Sequence, residues 1–97
     1  MAFLSIHHLA GNPDELLAQK SEHMDPVVNR IAPDYGAILS VTAKVEDGLL
    51  TINLWESATG AAEFTARNDI QAAQLVSGLP RPSRFERYDD VRIDRYQ

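Results

Sequence analysis

The chain has 97 residues, no cysteine and a formal charge of −5; at this length only roughly 60 to 65% of the unfolded surface can be buried, which predicts one domain over residues 1–97. Without cysteine there is no disulfide framework, thiolate metal site or cysteine nucleophile. The negative balance argues against nucleic acid or an anionic membrane as partner. The N-terminus shows no secretory leader and no window is apolar enough to span a bilayer, so the expectation is a cytoplasmic protein.

A first strand is expected at Phe3 to Leu9, whose alternate residues divide into Phe3, Ser5, His7, Leu9 and Leu4, Ile6, His8, Ala10. Neither set is cleanly polar. His7 and His8 are adjacent on the strand, point to opposite faces, and so cannot share a metal ion within one chain. A helix opens at Asn12-Pro13-Asp14-Glu15, with Asn12 as cap, Pro13 at the first helical position and Glu15 closing a capping box. Leu16, Leu17, Met24, Val27, Val28 and Ile31 form its apolar stripe, with the Lys20 stem at the edge. The stripe passes through Pro26, which predicts either one kinked helix or two short collinear ones.

Ala32-Pro33-Asp34-Tyr35-Gly36 breaks the pattern, and a second strand follows from Ala37 to Val45. The turn Glu46-Asp47-Gly48 favours a two-residue hairpin into a third strand, Leu49 to Glu56, on which Thr51, Asn53 and Trp55 share a face. The next helical region starts near Ala58. Phe64 and Ile70 lie about 120° apart in helical projection, too far for one stripe, so a helix to about Ala66 is expected to be followed by a second from Asp69 to Ser77, capped by Asn68-Asp69-Ile70-Gln71 and closed by Gly78. Pro80 and Pro82 predict a loop over Leu79 to Arg84, and a fourth strand is expected at Asp90 to Tyr96. Five of the nine basic residues, Arg81, Arg84, Arg87, Arg92 and Arg95, fall in this final part.

The order strand, helix, strand, strand, helix, strand is an α+β, ferredoxin-like split unit (βαββαβ) with helices on one face of the sheet. Every strand carries apolar side chains in both phases, so the open face would be covered in a two-fold homodimer that stacks two sheets.

From Phe3 to Tyr96 the chain resembles the dimeric alpha-beta barrel superfamily, most closely its antibiotic-biosynthesis monooxygenase-like branch. The resemblance rests on the strand-turn-helix opening at Phe3 to Leu17, the Tyr35-Gly36 entry to strand 2, and Leu54-Trp55-Glu56-Ser57 leading into Ala61-Ala62-Glu63-Phe64. It implies a dimer with a ligand held in each subunit between sheet and helices. The superfamily includes oxygenases that act on polycyclic phenols without metal or flavin, haem-degrading enzymes, polyketide cyclases and decarboxylases, and proteins without known activity. The haem-degrading branch uses an asparagine in strand 1, a tryptophan in helix 2 and a histidine further along it. Here strand 1 has His7 and His8, the helix 2 stretch has no tryptophan and no histidine follows His23, a departure that ranks haem degradation well below the other activities.

The candidate site residues follow from chemistry at those positions. His7 or His8, whichever faces the cleft, would be a base able to take a phenolic or carbon-bound proton, the other facing the barrel. Asn53 would hold an oxyanion, and Trp55 would be either a flat wall for an aromatic ring or a core and interface anchor. His23 lies near the Pro26 kink, either meeting freed carbonyls or simply solvated. Tyr35 would donate to an anion or cap the core; Met24 and Phe64 would line a small aromatic or apolar ligand or fill its place. Arg81, Arg84 and Arg87 would close over a carboxylate or phenolate, or be neutralised at the surface by Glu86, Asp89 and Asp90. There is no phosphate loop, nucleotide fingerprint, nucleophile elbow or magnesium and calcium spacing, so no cofactor and no metal are expected and redox chemistry would draw on the substrate's own electrons. The expected activity is a cofactor-independent monooxygenase acting on an aromatic polyketide-like phenol. A polyketide cyclase or isomerase of the same fold, and a non-enzymatic small-ligand-binding or structural dimer, are the alternatives.

Overall fold

The computed structural model describes residues 1–96 and places four strands in one antiparallel sheet of order β2-β3-β1-β4. The strands are β1 (Ala2–Ala10), β2 (Ala37–Val45), β3 (Gly48–Trp55) and β4 (Arg84–Val91). The helices are α1 (Pro13–Gln19), α2 (Asp25–Ile31), α3 (Ala58–Thr65) and α4 (Asn68–Ser77). This is the α+β ferredoxin-like arrangement that the element order predicts.

Asn12 caps α1 as expected, its Oδ1 accepting from the Glu15 N–H at 3.0 Å. The region around Pro26 is one continuous helical path with a π turn, Lys20–Met24, joining α1 to α2. Proline brings no N–H to the ladder, and the wider i→i+5 turn, in which the Asp25 N–H reaches the Lys20 carbonyl, absorbs that defect. A 3-10 turn over Ala32–Tyr35 ends at Gly36, whose φ of 86° reverses the chain into β2. The β2-β3 hairpin pairs Val45 with Gly48 around Glu46-Asp47. Gly48 lies so close to β1 that a Cβ there would overlap the Leu9 carbonyl.

Two expectations are corrected. Asn68 lies inside α4 and makes no capping box; the N-cap is Arg67, whose guanidinium instead forms a fork with Asp69 at 2.9 and 2.8 Å. The fourth strand is not Asp90 to Tyr96: it spans Arg84–Val91, beginning inside the expected loop, and residues 92–96 form no strand. Its two aromatic side chains, Phe85 and Tyr88, fall on opposite faces of an edge strand amid charges, so no alternation is visible in the sequence. The register shift between Ala2 and Leu4, with Asp90 at φ 56°, bends the pairing where the Val91-Ile93 alternation begins.

All helices cover one face. Between them and the sheet lies a core of Phe3, Ile31, Ala32, Trp55, Ala61, Phe64 and Ile70. On the open face, cross-strand neighbours run Leu39–Leu54–Leu4–Tyr88 and Val41–Ile52–Ile6–Glu86, and Leu39 and Val41 are half exposed.

Candidate functional site

The cleft-side face of the sheet is built from two parallel cross-strand rows. One reads Ser40 (β2), Asn53 (β3), Ser5 (β1), Arg87 (β4); the next reads Thr42, Thr51, His7, Phe85. These rows, with Trp55 and Phe3 at one end and α2, α3 and α4 above, enclose a cleft of about 610 Å³. That volume is of the size that takes a drug-sized ligand. Met24, Phe64 and Ile70 line its walls and do not fill it.

His7 sits on the floor with its ring 4.7 Å from Phe85. Burial pushes its pKa below the ordinary 6.5, so the imidazole is neutral near pH 7. It has no hydrogen-bond partner among the described residues, and neither ring nitrogen is a sealed, unsatisfied atom. A neutral imidazole with an unengaged nitrogen opening on an apolar cleft is competent to accept a proton. Asn53 accepts from the Ser40 hydroxyl through Oδ1 at 2.8 Å, which leaves its NH₂ group as a donor. Trp55 is buried with its ring 5.2 Å from Phe64 and forms part of both the core and the cleft wall.

The other named residues lie elsewhere. His8 projects to the open face, its Nε2 3.6 Å from Glu86. Arg84 is on that face too, bonded to the same carboxylate at 3.2 Å. The Tyr88 hydroxyl donates to Glu86 as well, and that hydrogen bond, followed by the bond from Arg84, holds the Glu86 carboxyl below its usual range. Glu86 is thus the acid that neutralises Arg84, while His8 cannot serve a cleft reaction. Tyr35 accepts from Arg67 at 2.7 Å and packs edge-on against Phe64 behind the cleft wall. The Asp69 fork and that Tyr35 contact together raise the Arg67 pKa above its already high value. His23 lies on the π turn, 3.9 Å from Glu22, and does not line the cleft.

The structure adds cleft residues that the sequence reading passes over. Lys20 and Asp25 both line the cleft and pair at 2.6 Å. A spacing of five places two residues about 140° apart on a regular α-helix, so only the π turn brings them together. Among the described residues no group of three or more metal-ligating side chains converges, and no helix is long and apolar enough to cross a membrane.

No protein-family model matches the chain, and no curated protein matches it. Solved structures do. A candidate antibiotic biosynthesis monooxygenase from Caulobacter crescentus shares 16% identity over 94% of this chain and 91% of its own, with a TM-score of 0.71. A dimeric ferredoxin-like protein of unknown function from Jannaschia shares 10% over 92% and 99%, with a TM-score of 0.68. SnoaB from Streptomyces nogalater, a cofactor-independent oxygenase, shares 13% over 95% and 93%, with a TM-score of 0.60. The chain therefore has the ferredoxin-like fold of the antibiotic biosynthesis monooxygenase-type structures.

Proposed function

We propose that the chain is a homodimeric, cofactor-independent monooxygenase whose cleft takes an aromatic, polyketide-like phenol. The observation that carries this reading is His7: a neutral imidazole with no internal partner, on the floor of an open, largely apolar cleft, one strand from the Asn53 amide, with Trp55 walling the end of the same cleft. The likeness in fold to SnoaB, described as a cofactor-independent oxygenase, supports the reaction class. The dimer is supported by the half-exposed apolar row on the open face and by the dimeric state given for a structure of the same fold.

In this reading the phenol stacks on Trp55, and His7 removes a proton from the activated ring carbon. The NH₂ of Asn53 stabilises the enolate oxygen that forms. Molecular oxygen adds to the electron-rich carbon, and the hydroperoxide loses water to leave a carbonyl. The balance is one CH₂ and one O₂ giving one C=O and one H₂O, all four electrons coming from the substrate. The protein's part is to bind, orient and move the proton.

The test is oxygen uptake with a dihydroxyanthrone as substrate, corrected for uncatalysed oxidation. His7→Ala should lower the rate by a factor on the order of 10² to 10⁴, the usual contribution of a positioned base. Equal uptake by the variant would contradict the assignment of the base. Substrate conversion without oxygen uptake would mark a cyclase or isomerase instead.

A further inference from the structure

We infer that Arg87 is a specificity-determining residue, and that the ligand of this cleft is an aromatic carrying a carboxylate at the end opposite its phenol. The inference rests on the proposed reading that the cleft takes an aromatic phenol, and it names a feature of that ligand which the reading leaves open.

Charge points to it first. The chain as a whole carries −5, yet the charged side chains lining the cleft are Lys20, Arg87 and a single acid, Asp25. Lys20 and Asp25 neutralise each other at 2.6 Å. Arg87 has no ion pair among the described residues: of the acids on its strand, Glu86 projects to the other face, where Arg84, Tyr88 and His8 already surround it, and Asp89, two residues on, makes no ion pair with it. The cleft is thus left with one uncompensated positive charge in an acidic protein.

Geometry makes that charge usable. The Arg87 guanidinium carbon lies 5.2 Å from the centre of the Phe3 ring, so the ring face supports the cation while its N–H edges stay available. Its cross-strand neighbour is Ser5, a small buried side chain that leaves room above the sheet. A lone planar guanidinium matches a carboxylate, which it grips with two parallel hydrogen bonds.

Spacing fixes where the anion sits on the ligand. Arg87 and Asn53 occupy the same cross-strand row, separated by β1. Two strand spacings are about 10 Å. His7 stands on the intervening strand, in the adjoining row. A fused aromatic whose phenol meets Asn53 and His7 would therefore present its far edge to Arg87, and a carboxylate there closes the charge balance.

The experiment compares 6-hydroxy-2-naphthoate with 6-hydroxy-2-naphthamide, two ligands of one shape that differ in charge. Binding to the full chain at low salt is followed by calorimetry and by quenching of Trp55, the only tryptophan. The acid should bind about tenfold tighter than the amide, as expected for one charge-assisted contact at a partly open site. Arg87→Gln should bring that ratio to about one, chiefly by weakening the acid, and Arg87→Lys should retain part of it. Circular dichroism of each variant checks that the fold is intact. Equal binding of acid and amide by the unmodified protein, or an undiminished ratio in Arg87→Gln, overturns the inference and leaves the aromatic cleft standing. Failure of both ligands to bind overturns the cleft reading and this inference with it.

Discussion

Truncating Phe64 to alanine is the sharpest test of how the cleft wall and the core share side chains. Phe64 is 6% exposed, with its ring 5.2 Å from Trp55 and 6.0 Å from Tyr35, and it forms part of both the core and the cleft lining. Removing a buried phenyl ring costs about 3–5 kcal/mol through lost transfer energy and the cavity left behind. A chain of this size has roughly 5–15 kcal/mol in total, and each kcal/mol lowers the melting temperature by about 4–8 °C. The variant should therefore melt at least about 12 °C lower, and at the upper limit would be unfolded at room temperature. Phe64→Leu, which keeps most of the volume, should cost under about 1.5 kcal/mol. Urea unfolding followed by circular dichroism at one fixed protein concentration reads the difference, the fixed concentration keeping the contribution from self-association the same for both proteins. A cost below about 1 kcal/mol for Phe64→Ala would refute the claim that this wall is packed core.

Further outcomes follow from other parts of the molecule. Because the folded His7 pKa lies below the unfolded 6.5, the unfolded chain takes up the proton first as pH falls. Stability present above about pH 6.5 should therefore decline below it, until the folded imidazole is itself protonated. His7→Phe should lose that part of the acid sensitivity, and an identical slope of urea midpoint against pH in both proteins would refute the assignment. On the open face, Val41→Lys places a charge among half-exposed apolar side chains. It should convert a dimer to a monomer in size-exclusion chromatography with light scattering; a persistent dimer would mean that the interface lies elsewhere.

Most of the fold was legible because its elements announce themselves locally. Asn12-Pro13 opens a helix, Glu46-Asp47-Gly48 closes a hairpin and Gly78 ends α4, each through chemistry confined to a few residues. The fourth strand was hidden because an edge strand is specified by its partner: Phe85 and Arg87 make sense only opposite His7 and Ser5. The N-cap falls on Arg67 rather than Asn68 for a related reason: beside its local fork to Asp69, Arg67 is bonded to Tyr35, a contact distant in sequence. At the site, the shared face of Asn53 and Trp55 was readable from strand alternation, as was the opposition of His7 and His8. Which histidine entered the cleft was not, because both faces of β1 are apolar and only the placement of the helices distinguishes them. The Lys20–Asp25 pair depends on a π turn that no regular periodicity encodes.

We propose above that an aromatic phenol binds between sheet and helices with its reacting edge at His7. A crystal structure of the protein soaked with a dihydroxyanthrone tests it most directly. Ligand density should appear in the cleft, reaching the Trp55 wall at one end, with a phenolic oxygen or the reacting carbon within about 3.2 Å of a His7 ring nitrogen. Density confined to the outside of the molecule, or a cleft closed by its own side chains in the presence of the ligand, would contradict it.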